Sequence, residues 1–174
     1  MRSGAGIATR AAPSCRSDFC WRSIRGVTLT VVFNEDAAMK KFVIHDKFGE
    51  PLKSVPLDEQ RGLVGANLDG MVAPGVQLQG QNLSDANLYG CFLAGADLSF
   101  ALLVNADMRG ANLNGASLRG ANLGRNALGG AARLRGADLS SAILTGTRLD
   151  GAEYDDSTIF PAGFNPAACG MVTS

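Results

Sequence analysis

Ala106-Asp107-Met108-Arg109-Gly110, Ala111-Asn112-Leu113-Asn114-Gly115 and Ala116-Ser117-Leu118-Arg119-Gly120 are consecutive copies of one five-residue unit, Ala-(Asp/Asn)-Leu-x-Gly. Working outward, the unit recurs from Leu63 to Phe164. Its central apolar residue falls at Leu63, Leu68, Ala73, Leu78, Leu83, Leu88, Leu93, Leu98, Leu103, Met108, Leu113, Leu118, Leu123 and Leu128. The centres then continue one residue late at Leu134, Leu139, Leu144, Leu149, Tyr154, Ile159 and Phe164. A fixed period decides architecture before local propensity does.

A period of five suits neither simple element. On an α-helix, five residues turn through about 500°, so successive Leu would spiral around the cylinder. On a flat strand, odd spacing sends alternate Leu to opposite faces. A bend in every unit removes the conflict: each Leu points at one axis, Ala sits in the inner corner, and Gly takes the turn. The reading is an all-β solenoid.

The Ala-(Asp/Asn)-Leu-x-Gly run over residues 63–164 resembles the pentapeptide repeat family. The resemblance implies a right-handed quadrilateral β-helix with four units per coil. Centres would then stack every twenty residues, giving about five coils and a rod about 25 Å long at ~4.8 Å per coil. One expected interior ladder is Leu68, Leu88, Met108, Leu128 and Leu149, and another is Leu78, Leu98, Leu118, Leu139 and Ile159. The late register is expected to reflect one extra residue within Gly129-Gly130-Ala131-Ala132, taken up as a local bulge.

The flanks read as caps. Val27-Thr28-Leu29-Thr30-Val31-Val32-Phe33 and Lys41-Phe42-Val43-Ile44-His45 are β-rich, and turn chemistry at Asp46–Pro51 leads into Leu52-Lys53-Ser54-Val55. Residues 27–62 are therefore expected to form an N-terminal β-hairpin cap, and residues 165–174 a C-terminal cap or tail. Residues 1–26 are rich in Arg, Ser, Ala and Gly, with Asp18 their one acid. They are read as a disordered tail or a start assigned too far upstream, with Met39 an alternative start.

Composition narrows function. His45 is the only histidine, which removes most triads and histidine metal sites. Cys15, Cys20, Cys91 and Cys169 do not form a zinc pattern, and a reducing, cytoplasmic setting is expected. Asp155-Asp156 is the one tempting acidic pair, read as a solvated corner. No run reaches ~18 apolar residues, so no membrane span is expected. The chain is read as a non-enzyme without catalytic residues, cofactor or metal.

Two binding roles remain. Some pentapeptide repeat proteins resemble a DNA duplex and modulate DNA gyrase and other type II topoisomerases, which implies a strongly anionic surface. Candidate mimic acids are Asp97, Asp107 and Asp138, with Asp97, Ser117 and Asp138 expected in one column and Arg133 one coil from Glu153. Residues 63–164 hold nine acids and six arginines, a net of minus three, which is weak for a DNA mimic, kept as the alternative reading, and lacks the basic stripe of a direct nucleic-acid binder. The preferred reading is a rigid scaffold for another protein, or for a second copy through an end cap. Its candidate surface is Tyr89 and Phe92 at one corner, Phe100, Leu102 and Val104 at the opposite one, and Ile143 on the face of Leu102.

Overall fold

The computed structural model describes residues 62–174 together with the backbone of three preceding strands, β1 (Leu29–Val32), β2 (Lys41–His45) and β3 (Pro51–Pro56). The reading of residues 1–26 lies outside the described residues. From Gly62 onward the chain winds as a β-helix. Parallel bridges join residues twenty apart, as in Asn67 to Asn87, Val72 to Phe92, Gln77 to Asp97 and Asn82 to Leu102. Four bridges per turn of chain define four faces. The first carries Asn67, Asn87, Asp107, Arg133 and Glu153, and the second Val72, Phe92, Asn112, Asp138 and Ile159. The third carries Gln77, Asp97, Ser117 and Ile143, and the fourth Asn82, Leu102, Asn122 and Arg148.

Each unit follows from its residue types. The centre points inward, and Leu68, Leu88, Met108, Leu98 and Leu118 are fully buried. Its carbonyl accepts from the amide three residues on, as Leu63 does from Ala66 at 3.1 Å, so the chain turns at every unit. The turn's last residue has positive φ, as at Gly70 and Gly110, a region open to glycine. The Asp or Asn before each centre has a local task. Its side-chain oxygen accepts from the amide two residues on: Asn67 from Asp69 at 3.2 Å, Asp97 from Ser99 at 2.9 Å, and Asn112 from Asn114 at 3.0 Å. These Asx turns fix the bend and explain why the unit spells Asp or Asn there.

The irregularity between Leu123 and Leu134 is larger than expected. The carbonyl of Leu123 accepts from Ala132, nine residues on instead of three, and the bridge from Asp107 reaches Arg133, twenty-six residues on instead of twenty. Both differences equal six: six residues leave the rod as a loop, and no single-residue bulge forms at 129–132. Asn126 organises this loop, its Oδ1 accepting from the amides of Leu128 and Gly130, each at 2.9 Å.

Leu128 is therefore no centre; it stands 95% exposed. The ladders are corrected accordingly. Leu134 stacks above Met108, and Leu144 above Leu118, since Ser117 bridges Ile143. Ile159 is also outward: the bridge from Asp138 skips twenty-one residues, an extra residue is absorbed in the Asp155–Thr158 turn, and Phe160 packs on the core in its place.

At the C-terminal end β4 (Glu153–Tyr154) pairs in parallel with β5 (Val172–Thr173). Tyr154 meets Phe160 edge-on at 5.5 Å, and Phe160 stacks on Phe164 at 5.1 Å. Strands β1, β2 and β3 form an antiparallel sheet in that order and fall on the three β-rich runs of the sequence. Among the described residues no helix is long and apolar enough to cross a membrane.

Candidate protein-binding surface

The expected surface residues fall into separate groups. Val72, Tyr89 and Phe92 gather on and beside the second face, where Val72 bridges Phe92. Tyr89 is engaged as well: the Arg109 guanidinium lies 5.6 Å from its ring centroid. Phe100, Leu102 and Val104 follow one another across the fourth face and its two corners. Ile143 is not on that face; the six-residue loop moves it to the third, above Ser117.

Phe100 takes a place in the turn that its vertical neighbours Gly80 and Gly120 fill with glycine, and it keeps their backbone, with φ +59°. A bulky side chain in this region is a conformational outlier. The residue is 58% exposed, and its ring lies over Gly120, where an added Cβ would come 2.6 Å from the ring. Leu102 is held between Asn82 and Asn122, and the carbonyl of Val104 accepts from the Asp85 amide at 3.0 Å. The aromatic ring, the Leu and the Val thus stand on a backbone fixed from above and below.

The projecting loop borders the same corner. It leaves the rod after Leu123, one level above Leu102 and Val104, and returns with Gly130 against Asn105, whose side chain a Cβ on Gly130 would meet at 3.2 Å. Leu128 belongs to this loop and is almost wholly exposed, and sequence periodicity missed it. The signal was present: in Arg125-Asn126-Ala127-Leu128 the Asn stands two residues before the Leu and the Ala one, the reverse of the Ala-(Asp/Asn)-Leu order in units such as Ala111-Asn112-Leu113.

The candidate mimic acids are scattered. Asp107 lies on the first face, Asp138 on the second and Asp97 on the third. The column expected to hold Asp97, Ser117 and Asp138 holds Asp97, Ser117 and Ile143 instead, because Asp138 rises above Asn112. Asp107 is also neutralised at close range: Arg109 binds it through Nε at 2.8 Å and a terminal nitrogen at 2.7 Å, and Arg133 approaches to 3.7 Å. These contacts, led by the Arg109 hydrogen bonds, hold its carboxyl below the usual range. Arg133 does bridge Glu153 one level up, but its carboxylate partner is Asp107.

In the Asp155-Asp156 pair, Asp155 is a turn lock. Its Oδ1 accepts from the Ser157 hydroxyl at 2.7 Å, the Gly136 amide at 3.0 Å and the Thr158 hydroxyl at 3.0 Å, which lower its pKa to about 2. A carboxyl so held carries no proton to donate at neutral pH.

A family profile described as pentapeptide repeats matches in eight copies over residues 63–99, 93–125 and 131–153. The match breaks where the loop leaves the rod. No curated protein matches the chain. A pentapeptide repeat protein from Nostoc PCC 7120, alr5209, is 26% identical over 62% of this chain and 84% of its own, with a TM-score of 0.47. HetL, a pentapeptide repeat protein involved in heterocyst differentiation regulation from Nostoc sp. strain PCC 7120, is 31% identical over 62% of this chain and 45% of its own, with a TM-score of 0.40. Rfr23 from Cyanothece 51142 is 30% identical over 59% of this chain and 92% of its own, with a TM-score of 0.37.

Proposed function

This chain belongs to the pentapeptide repeat family, and on that footing we propose that it is a non-catalytic, rigid β-helical scaffold that binds another protein. The contact surface is the fourth-face corner: Phe100, Leu102 and Val104, with Leu128 on the loop above. The observation that carries the reading is the backbone of Phe100. A phenylalanine at φ +59° costs about 1 kcal/mol over the glycine used at Gly80 and Gly120 above and below it, and the residue stays 58% exposed. Local stability does not explain that arrangement; a partner that covers the ring does.

A pull-down from the source organism at low and high salt tests the proposal. An apolar contact keeps its partner at 0.5 M salt and loses it in Leu102→Asp and Leu128→Asp variants that still fold. Stoichiometric inhibition of gyrase, strongest at low salt, abolished by changing Asp97, Asp107 and Asp138 to Asn and untouched by Leu102→Asp, would sink it in favour of DNA mimicry.

A further inference from the structure

The two ends of the rod are closed differently. At the C-terminal end Leu149, Ala152 and Met171 are buried, while Leu144, Tyr154, Phe160 and Phe164 are only partly so. At the other end the first level comprises Leu63, Leu68, Ala73 and Leu78, with no coil beneath it among residues 62–174. A bare first level would show its inward side chains to water. Instead these four are 2%, 0%, 0% and 0% exposed. The C-terminal segment does not supply the cover, since it pairs at the opposite end on Glu153 and Tyr154. The cover must come from chain preceding Gly62.

We infer that the three-stranded sheet β1–β3 docks on the N-terminal end of the rod, and that it does so through one of its two faces. Its register pairs Leu29 with Ile44, Val31 with Phe42, Phe42 with Val55, and Ile44 with Lys53. Opposed residues share a face, and so do residues two apart along a strand. Leu29, Val31, Phe42, Ile44 and Val55 therefore share one face, interrupted by Lys53; Thr30, Val32, Lys41, Val43, Ser54 and Pro56 share the other. A small sheet with one such face is stable only when that face is covered.

The connection allows the docking. Five residues separate Pro56 from Gly62, a reach of at most about 20 Å, which confines the sheet to the neighbourhood of the first coil. Charge favours it too. Residues 1–62 carry ten basic and seven acidic residues, a net of plus three, whereas residues 63–174 carry six basic and nine acidic, a net of minus three.

Methyl-labelled full-length protein tests the inference in solution. Wild-type protein is expected to show through-space contacts from the methyls of Ile44 and Val55 to those of Leu68 and Leu78, and all four should resist broadening by a soluble paramagnetic agent. Ile44→Asp is expected to expose Leu68 and Leu78 to the agent while Leu98 and Leu118 stay shielded. Val43→Asp, on the other sheet face, should leave all of them shielded. Absence of the wild-type contacts, or an Ile44→Asp variant whose Leu68 and Leu78 remain as shielded as before, overturns the docking.

Discussion

At Leu118 the rod has no tolerance for charge. The side chain is fully buried between Leu98 and Leu144, with no polar group to receive a carboxylate, so Leu118→Asp should cost several kcal/mol. Arg119, the next residue, is exposed, and Arg119→Asp should stay within about 0.5 kcal/mol. Thermal melts of the two variants check this, and equal midpoints would refute the register. Gly120 is constrained twice, by φ +65° and by the Phe100 ring above its missing Cβ. Gly120→Ala should cost about 1–2 kcal/mol in the wild-type background and clearly less with Phe100→Gly, a non-additivity that a double-mutant cycle measures. Asp155 makes a residue-level prediction in pH. Its folded pKa is depressed from 3.8 to about 2, so its contribution is present above pH 4 and fades as pH falls toward 2. Wild-type protein should therefore melt above Asp155→Ala at pH 7, with the gap closing near pH 2.

Among the elements, the loop is the one that adds nothing to the ladders. Deleting Gly124–Gly129 and changing Ala131→Gly restores the ordinary spacing from Leu123 to Leu134, with glycine in the turn. The shortened protein should keep the β-helix, as judged by circular dichroism, with a melting midpoint equal or higher, because closing a shorter loop costs less entropy. On the proposed function it should also lose its partner, because Leu128 goes with the loop. The same element shows what sequence can and cannot reveal. Regular units were legible because each residue type has one task per turn, so a period of five led directly to stacked faces. The loop was not, because Leu128 keeps the five-residue interval by coincidence while Asn126 uses its side chain to bend the chain outward. Face assignments beyond it then slipped, moving Ile143 and Asp138 by one face, while a second extra residue in the Asp155–Thr158 turn put Ile159 outside the core. The surface corner was half legible: Phe100 and Leu102 stood out as apolar residues at outward positions, whereas the left-handed backbone of Phe100 and the place of Leu128 in an outward loop required coordinates.

For the whole molecule, the positive N-terminal part and negative rod cancel to a formal net charge of zero at pH 7, with a pI near 6.6. Solubility should pass through a minimum near that pH and rise on either side, which precipitation assays against pH can follow. The bridges between levels carry a further consequence. Because the loop sits outside the ladder, distance along the rod is counted in levels and not in residues: Val72 and Ile159, eighty-seven positions apart, are separated by four steps, Phe92, Asn112 and Asp138 lying between them. At ~4.8 Å a step that is about 19 Å. The molecule is graduated like a ruler: along any one face, outward positions lie at whole-number multiples of one strand spacing, whatever lengthening its corners acquire.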